Sequence, residues 1–441
     1  MSNKGANQIS LISKEGIKIK SFGEAILDFP HEIAGLPLFG LGWLLIGWIL
    51  WCLIWGAYEW KRGTLRREFM QYLPVLATVT LLVTVVMPWL EPRDPTGQPM
   101  GMAIRGYGLL FMLGIVSGVG LAVIRARKMG INPDVILSLA LVMVVSGLVG
   151  ARFFYVLQYW SVDFAPAGEP FQPLAVLGRV LKFTEGGLVV YGSLIGAIVS
   201  TLIFLSVHKL PRLATLDLVV PSMLIGLALG RLGCLMNGCC YGGVCSNESL
   251  GIQFPAGSPA YIAQLDNGQL LGITVGSTRK VTAVKAGSLA DQAGLRPGDR
   301  LEDIQFDDKR VSLLAQTAEQ GPRSLNWDRA QLPDQSLPVY PSQILSSLNA
   351  LILCFFLCVI YPYRRRDGQV TALLLIFYAL TRFLLEIVRT DEAHQFLGAL
   401  TPAQLVGIPM FLVGVALLVV TSLGSKPLAL PNPASLANRS G

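Results

Sequence analysis

Long apolar runs separated by short polar loops dominate the chain. Runs of spanning length fall at roughly 36–57, 72–90, 108–125, 134–158, 188–207, 215–236, 342–361, 370–389 and 404–422. A helix of about 20 apolar residues crosses a bilayer, so the pattern predicts nine membrane helices. Cations gather in alternate loops: Lys61, Arg62, Arg66 and Arg67 after the first run, Arg125, Arg127 and Lys128 after the third. Lys209 and Arg212 follow the fifth, Arg364, Arg365 and Arg366 the seventh, and Lys426 the ninth. Positive loops stay on the cytoplasmic side, which puts the C-terminus in the cytoplasm and the N-terminus outside. Lys4, Lys14, Lys18 and Lys20 argue against an outside N-terminus, and Glu24, Asp28 and Glu32 carry little weight in that rule. The N-terminus is polar to about Glu32, and no secretory signal is expected.

Two outside segments break the pattern. The loop 159–187 runs into FTEGGLVVYGSLIG, where Gly186, Gly187, Gly192 and Gly196 allow close backbone approach. The stretch 238–341 is the longest polar part of the chain. Within it, Val281–Val311 alternates short β-like runs with a small helix at Leu289–Ala293 and an RPGD turn. The segment GSLADQAGLRPGDRL resembles the second half of a PDZ domain, on an insert expected from Gly272 to about Leu337. That resemblance implies capture of a peptide or chain end by strand addition. A spacer without a ligand is the other reading.

Composition places the rest in lipid. Of 441 residues, 52% are hydrophobic and 14% charged, against about 25% charged in soluble domains. The net charge of +7 does not point to nucleic acid, because the cations sit in short loops beside apolar runs. The fold class is an all-α polytopic membrane protein with a small β-rich insert. Seven cysteines are present, and Cys234, Cys239, Cys240 and Cys245 fall within twelve residues. Metal sites more often use CxxC pairs, and adjacent cysteines on a short turn converge poorly on one ion. No metal and no cofactor are therefore expected. Small-residue packing, or a disulfide involving Cys245 on the outside, fits the spacing better.

Charge inside the apolar runs is the functional signal. Arg152, Arg231, Arg382 and Arg389 lie within or at the ends of the spans, where each cation costs about 2.5–3.5 kcal/mol to insert. Matching acids are few: Glu386, and Glu185 at a boundary. Tyr378, Arg382, Glu386 and Arg389 follow one another at spacings of four, four and three, on one helical face. Arg382 and Glu386 can pair at i, i+4, which leaves a surplus of positive charge. A guanidinium fork suits phosphate oxygens, so the pattern points to an anionic phospholipid headgroup held in a helical bundle.

Six segments in order then carry a resemblance: AIRGYGLLFMLG, LVGARFFYVLQYW, EGGLVVYGSLIG, GRLGCLMNGCCYG, YPSQ and LIFYALTRFLLEIVR. Together they resemble the prolipoprotein diacylglyceryl transferase family. The resemblance covers roughly 103–271 and 338–422. It implies a seven-span bundle in the bacterial inner membrane, here with two extra N-terminal spans. The implied reaction moves the diacylglyceryl group of phosphatidylglycerol onto the lipobox cysteine thiol of a preprolipoprotein and releases glycerol-1-phosphate. The resemblance gives Arg231, Arg382, Glu386, Tyr107 and Tyr191 catalytic roles. Arg231, Arg152, Asn237, Gly242, Tyr378, Arg389 and Gln343 are the expected substrate-binding residues. The implied partners are phosphatidylglycerol, preprolipoprotein lipobox peptides and membrane lipid, with no nucleic acid. The expected divisions are 1–102 with the extra spans, 103–271 and 338–424 as the transferase core, 272–337 as the insert, and a cytoplasmic tail at 425–441.

Four positions depart from the family pattern. Tyr191 stands where a His is usual, Cys234 for an Asn, Cys239 for a Glu, and Tyr340 for the His of HPSQ. Tyrosine, with a pKa of about 10, is a poor base at working pH. Three explanations stand: the arginines lower the substrate thiol's pKa, another residue such as Glu386 or Glu185 takes the proton, or the chain binds lipid without turnover. The last makes it a membrane scaffold with a peptide-binding arm. A transporter of anions is a third class, and no half-to-half repeat supports it.

Overall fold

The computed structural model describes residues 25–63, 65–91, 97–99, 101–164, 173–181, 187–245, 251–276, 279–306, 310–317, 321–388, 401–424 and 428–429. Glu185 and Arg389 lie outside them. Among the described residues, nine helices are long and apolar enough to cross a membrane. Their limits follow the apolar runs, except that the first begins at Trp43 and not near 36. There the chain first makes a tight hairpin, β2 (Glu32–Ile33) against β3 (Leu36–Pro37). Its two turn residues, Ala34 and Gly35, both have positive φ (52° and 79°), as a two-residue turn requires.

The described residues divide into two compact units, one within 25–105 and 146–196, the other within 106–145 and 197–429. In the first, β1 (Ala25–Phe29) pairs antiparallel with β4 (Met102–Arg105). Helix α1 (Trp43–Arg62) lies against α2 (Leu65–Leu81), which continues through a π turn at Leu82–Val86 into α3 (Met87–Leu90). Trp48, Trp51 and Trp55 stack along α1, and Trp55 meets Tyr72 of α2 edge-on. This unit also holds the second half of α5 (Pro133–Gln158), the first two turns of α7 (Val190–Val207), and the short α6 (Pro173–Leu181). There α5 and α7 meet through glycine. A Cβ on Gly150 would stand 2.4 Å from Gly192 O, and one on Gly196 2.5 Å from Ser146 O. This is the small-xxx-small contact of membrane helices.

The second unit is built around α8 (Arg212–Asn237). Helix α4 (Gly106–Lys128) crosses it with Gly114 and Gly118 against Ser222 and Gly226. Helices α11 (Ser342–Ile360), α12 (Gln369–Val388) and α13 (Pro402–Leu423) complete the bundle, α11 lying on α8 and α13 on α12. Pro221, inside α8, has no N–H for the carbonyl of Asp217 four residues back. Arg125 of α4 supplies the missing donor, Nη2 to Asp217 O at 3.3 Å. The Asp217 carboxylate accepts from Gly368 N (2.7 Å), Thr371 N (2.8 Å) and Thr371 Oγ1 (2.7 Å). Arg125 and Arg364 both lie on the Tyr361 ring. Their place in the sequence makes them loop cations, yet both are buried.

Between α8 and α11 the chain forms a small α+β unit. Its elements are α9 (Pro259–Asp266), β5 (Ile273–Val275), β6 (Val281–Val284), α10 (Leu289–Gln292), β7 (Arg300–Phe306), β8 (Arg310–Thr317) and β9 (Gly321–Asp328). β5 and β6 form a hairpin, and β7–β8–β9 an antiparallel meander. Tyr261 and Leu265 of α9 share its core with Leu271, Leu301 and Leu313. Pro255 and Gln335 pair across its base.

Candidate functional site

The site grows from the C-terminal end of α8. Gly238 caps the helix in the left-handed conformation (φ 70°), its N–H on Leu235 O and that of Cys239 on Cys234 O. Such a cap satisfies the last carbonyls and reverses the chain. Cys240 follows with φ 59°, unusual for a residue other than glycine. The start of α11 holds this turn in place. Gln343 Nε2 donates to Cys239 O (2.8 Å) and Ser342 Oγ to Cys240 O (2.6 Å). Gly242 N donates to Tyr340 O and Tyr340 N to Gly243 O. The Sγ atoms of Cys234, Cys239 and Cys240 lie within 4.8 Å of one another. Adjacency on a short turn does not keep them apart, contrary to the expectation from spacing, because the two left-handed residues turn both thiols back onto the helix end. Hydrogen bonds from the Cys234 and Cys240 thiols and from Asn237 hold the Cys239 thiol well below the ordinary range. All seven cysteines are free thiols, which removes the expected disulfide of Cys245. That thiol lies beside the Tyr340 hydroxyl instead.

Arg231 stands one turn before Cys234, on the same face of α8. It is half-buried. Tyr107, at the start of α4, packs on Gly233, where a Cβ would meet its ring at 3.1 Å. It lies within electrostatic reach of Arg231 and of all three thiols. On α12, Arg382 and Glu386 form the expected ion pair, their side chains 14% and 1% exposed. The depth of the two arginines follows from polar links that the sequence did not announce. Ser347 Oγ of α11 donates to Ala228 O of α8, and Asn349 Nδ2 of α11 to Thr381 Oγ1 of α12, both at 3.0 Å. Counting 1.5 Å per residue from those bonds puts Arg231 and Arg382 within about 6 Å of the same level, with Glu386 level with Arg231.

Among the described residues, Arg231 makes no hydrogen bond or ion pair, whereas the other two membrane arginines are engaged. Arg382 has Glu386. Arg152, in the first unit, donates to Arg179 O (2.6 Å), Val180 O (2.9 Å) and Gly187 O (3.1 Å). Two of those carbonyls end α6, so Arg152 caps a helix and pins the loop before α7. Tyr191 also belongs to the first unit and is about half exposed. Gln343 is buried at the thiol turn, Gly242 sits in that turn, and Tyr378 packs against the α4–α8–α11 core. An apolar cavity of about 230 Å³ opens a little over one turn from Arg231 along α8, lined by Gly118, Met143, Val219, Ser222 and Gly226 among others.

The geometry is a charged site at one end of a membrane bundle, and its sequence has known relatives. The model of the prolipoprotein diacylglyceryl transferase family matches residues 98–420. This chain belongs to that family. A phosphatidylglycerol–prolipoprotein diacylglyceryl transferase of Rhodopirellula baltica is 36% identical, over 86% of this chain and 85% of the relative. The second such transferase of Clostridium perfringens is 23% identical over 76% and 97%, and that of Clostridium tetani 24% over 71% and 92%. Within this family member, two of the unusual positions, Cys234 and Cys239, belong to the thiol cluster together with Cys240.

Proposed function

We infer that this membrane protein transfers the diacylglyceryl group of phosphatidylglycerol to the lipobox cysteine of preprolipoproteins and releases glycerol-1-phosphate. The observation that carries the mechanism is Arg231: a half-buried guanidinium in a membrane helix, without a protein partner among the described residues, level with the Arg382–Glu386 pair. A cation so placed calls for an anion, and a lipid phosphate is the one its surroundings supply.

The phosphate sits between Arg231 and Arg382, and Glu386 orients Arg382. The sulfur attacks the glyceryl carbon in line. As the C–O bond breaks, the two guanidinium groups meet the charge that develops on the departing phosphate. Tyr107 and Tyr191 donate hydrogen bonds or position the thiol. Arg152, Asn237, Gly242, Tyr378, Gln343 and Arg389 shape the lipid and peptide sites, and the apolar cavity gives part of an acyl chain a bed. The protein works in the bacterial inner membrane with its C-terminus in the cytoplasm, and its β-rich arm takes a peptide or chain end.

Arg231→Ala tests this. Transfer to a lipobox peptide should fall by about 10²–10³-fold, with normal amounts of protein in the membrane, and Arg231→Lys should recover only part because it loses the fork. Unchanged transfer by Arg231→Ala removes the phosphate from Arg231. Failure of the wild-type chain to rescue a transferase-depleted bacterium, despite full expression, favours the lipid-binding scaffold.

A further inference from the structure

Three thiols gather at the C-terminal end of α8, the first of them one turn beyond Arg231. Their Sγ atoms lie within 4.8 Å of one another. A tetrahedral zinc ion with Zn–S bonds of about 2.3 Å needs its sulfurs about 3.8 Å apart, about 1 Å inside the 4.8 Å that bounds these three. The backbone is already set for it. Gly238 and Cys240 are both left-handed, and Gln343 and Ser342 hold the carbonyls of Cys239 and Cys240. Gln343 is 1% exposed, and its Oε1 has no partner among the described residues. Charge agrees as well. Three thiolates around Zn²⁺ sum to one negative charge, close along α8 to a guanidinium that has no counter-ion among the described residues. The cluster and Arg231 also face one side chain, Tyr107, so a nucleophile held by the first lies near a phosphate held by the second. Three protein ligands leave a tetrahedral ion one open position, as in catalytic zinc sites.

We propose that Cys234, Cys239 and Cys240 bind one zinc ion whose fourth position takes the lipobox cysteine as its thiolate. This rests on the transferase function inferred above. The incoming thiol coordinates zinc and its proton leaves to water, since a coordinated thiol is deprotonated outright. A sulfur lone pair then forms the bond to the glyceryl carbon. The C–O bond to the phosphate breaks, and its electron pair leaves on the phosphate oxygen facing Arg231 and Arg382. The product thioether is neutral, a weaker ligand than the thiolate, and leaves the ion. No electron is gained or lost by any atom pair beyond these bonds, and no side-chain base is needed.

The test uses the full chain in detergent micelles under reductant. Wild-type protein should carry one zinc per chain. After stripping with a chelator it should bind one Co²⁺, with sulfur-to-cobalt charge-transfer absorbance that changes when a lipobox peptide is added and stays constant with the Cys→Ser peptide. Cys234→Ser, Cys239→Ser and Cys240→Ser should each lose this site, and Cys245→Ser should keep it. Stripped wild-type protein should lose at least tenfold in transfer and regain it with Zn²⁺. Absence of stoichiometric zinc or cobalt, binding of Cu⁺ alone, or a cobalt spectrum indifferent to these cysteines overturns the site. Full transfer by stripped protein overturns its role while the transferase function stands. A peptide-responsive site in a protein that never transfers lipid keeps the thiol binding and rejects the transferase function.

Discussion

At the scale of the residue, the site contrasts two arginines. Arg382 is neutralised within its own helix by Glu386, and Arg231 is not. The pair was legible in the sequence, because a spacing of four puts two side chains on one face. That Arg231 lacks a partner among the described residues was not legible, since a partner in space has no fixed spacing in sequence. Glu386 is 1% exposed at its side chain, so removing its charge leaves Arg382 uncompensated in a buried place. Breaking such a pair costs about 3–5 kcal/mol. Glu386→Gln should therefore lower the thermal unfolding midpoint in micelles and also slow transfer, because Arg382 loses its orientation. A variant as stable as wild type that is still slow assigns Glu386 to chemistry alone, and one that is stable and fast removes it from both. Arg125 and Arg364 carry the opposite lesson. Basic residues at the ends of apolar runs imply a wet loop, but a proline-freed carbonyl and the Tyr361 ring draw them inside.

At the scale of the element, small residues decide where helices touch. Gly150 and Gly192 bring α5 and α7 together so closely that a Cβ on either would stand 2.4 Å from the other's carbonyl oxygen. Gly192→Leu has to push the helices apart, at about 1–3 kcal/mol for overpacking. Lower resistance to protease in micelles, with Ala milder than Leu, is the expected outcome; equal resistance of the Leu variant means the contact does not form. The glycines themselves were readable as places of close approach, and their partners were not. The thiol turn shows the same limit. The spacing of Cys234, Cys239 and Cys240 argues against convergence if an ordinary turn joins them. The left-handed Gly238 and Cys240, held by α11 from about a hundred residues away, bring the sulfurs together.

At the scale of the whole molecule, the β-rich unit is the clearest addition to the bundle. Its chain enters and leaves side by side: Ser336 N donates to Phe254 O, and Ala256 N to Asp334 O. Joining Pro255 to Gln335 through a two-residue turn therefore removes it at its base, together with Tyr261 and Leu265, which belong to its core. A cut at Gly272 would strand those two side chains in water. The trimmed protein should lipidate a short lipobox peptide at close to the wild-type rate and discriminate less among full-length precursors. Loss of transfer to every substrate means that the arm supports the site itself. The nine helices long and apolar enough to span among the described residues, their order and most of their limits followed from the apolar runs alone, because burial in lipid is a property of each segment separately.

What the sequence determined by itself was local in origin. Span length, the i, i+4 pair, the small-residue stripes and the excess of positive charge all follow from neighbours along one helix. The tertiary structure decided which arginine makes no ion pair among the described residues, which cations go inside, and that three thiols meet. Each of these depends on groups far apart in the chain brought within a few ångströms by packing, and hydrophobic pattern carries no record of which distant polar atoms will face one another.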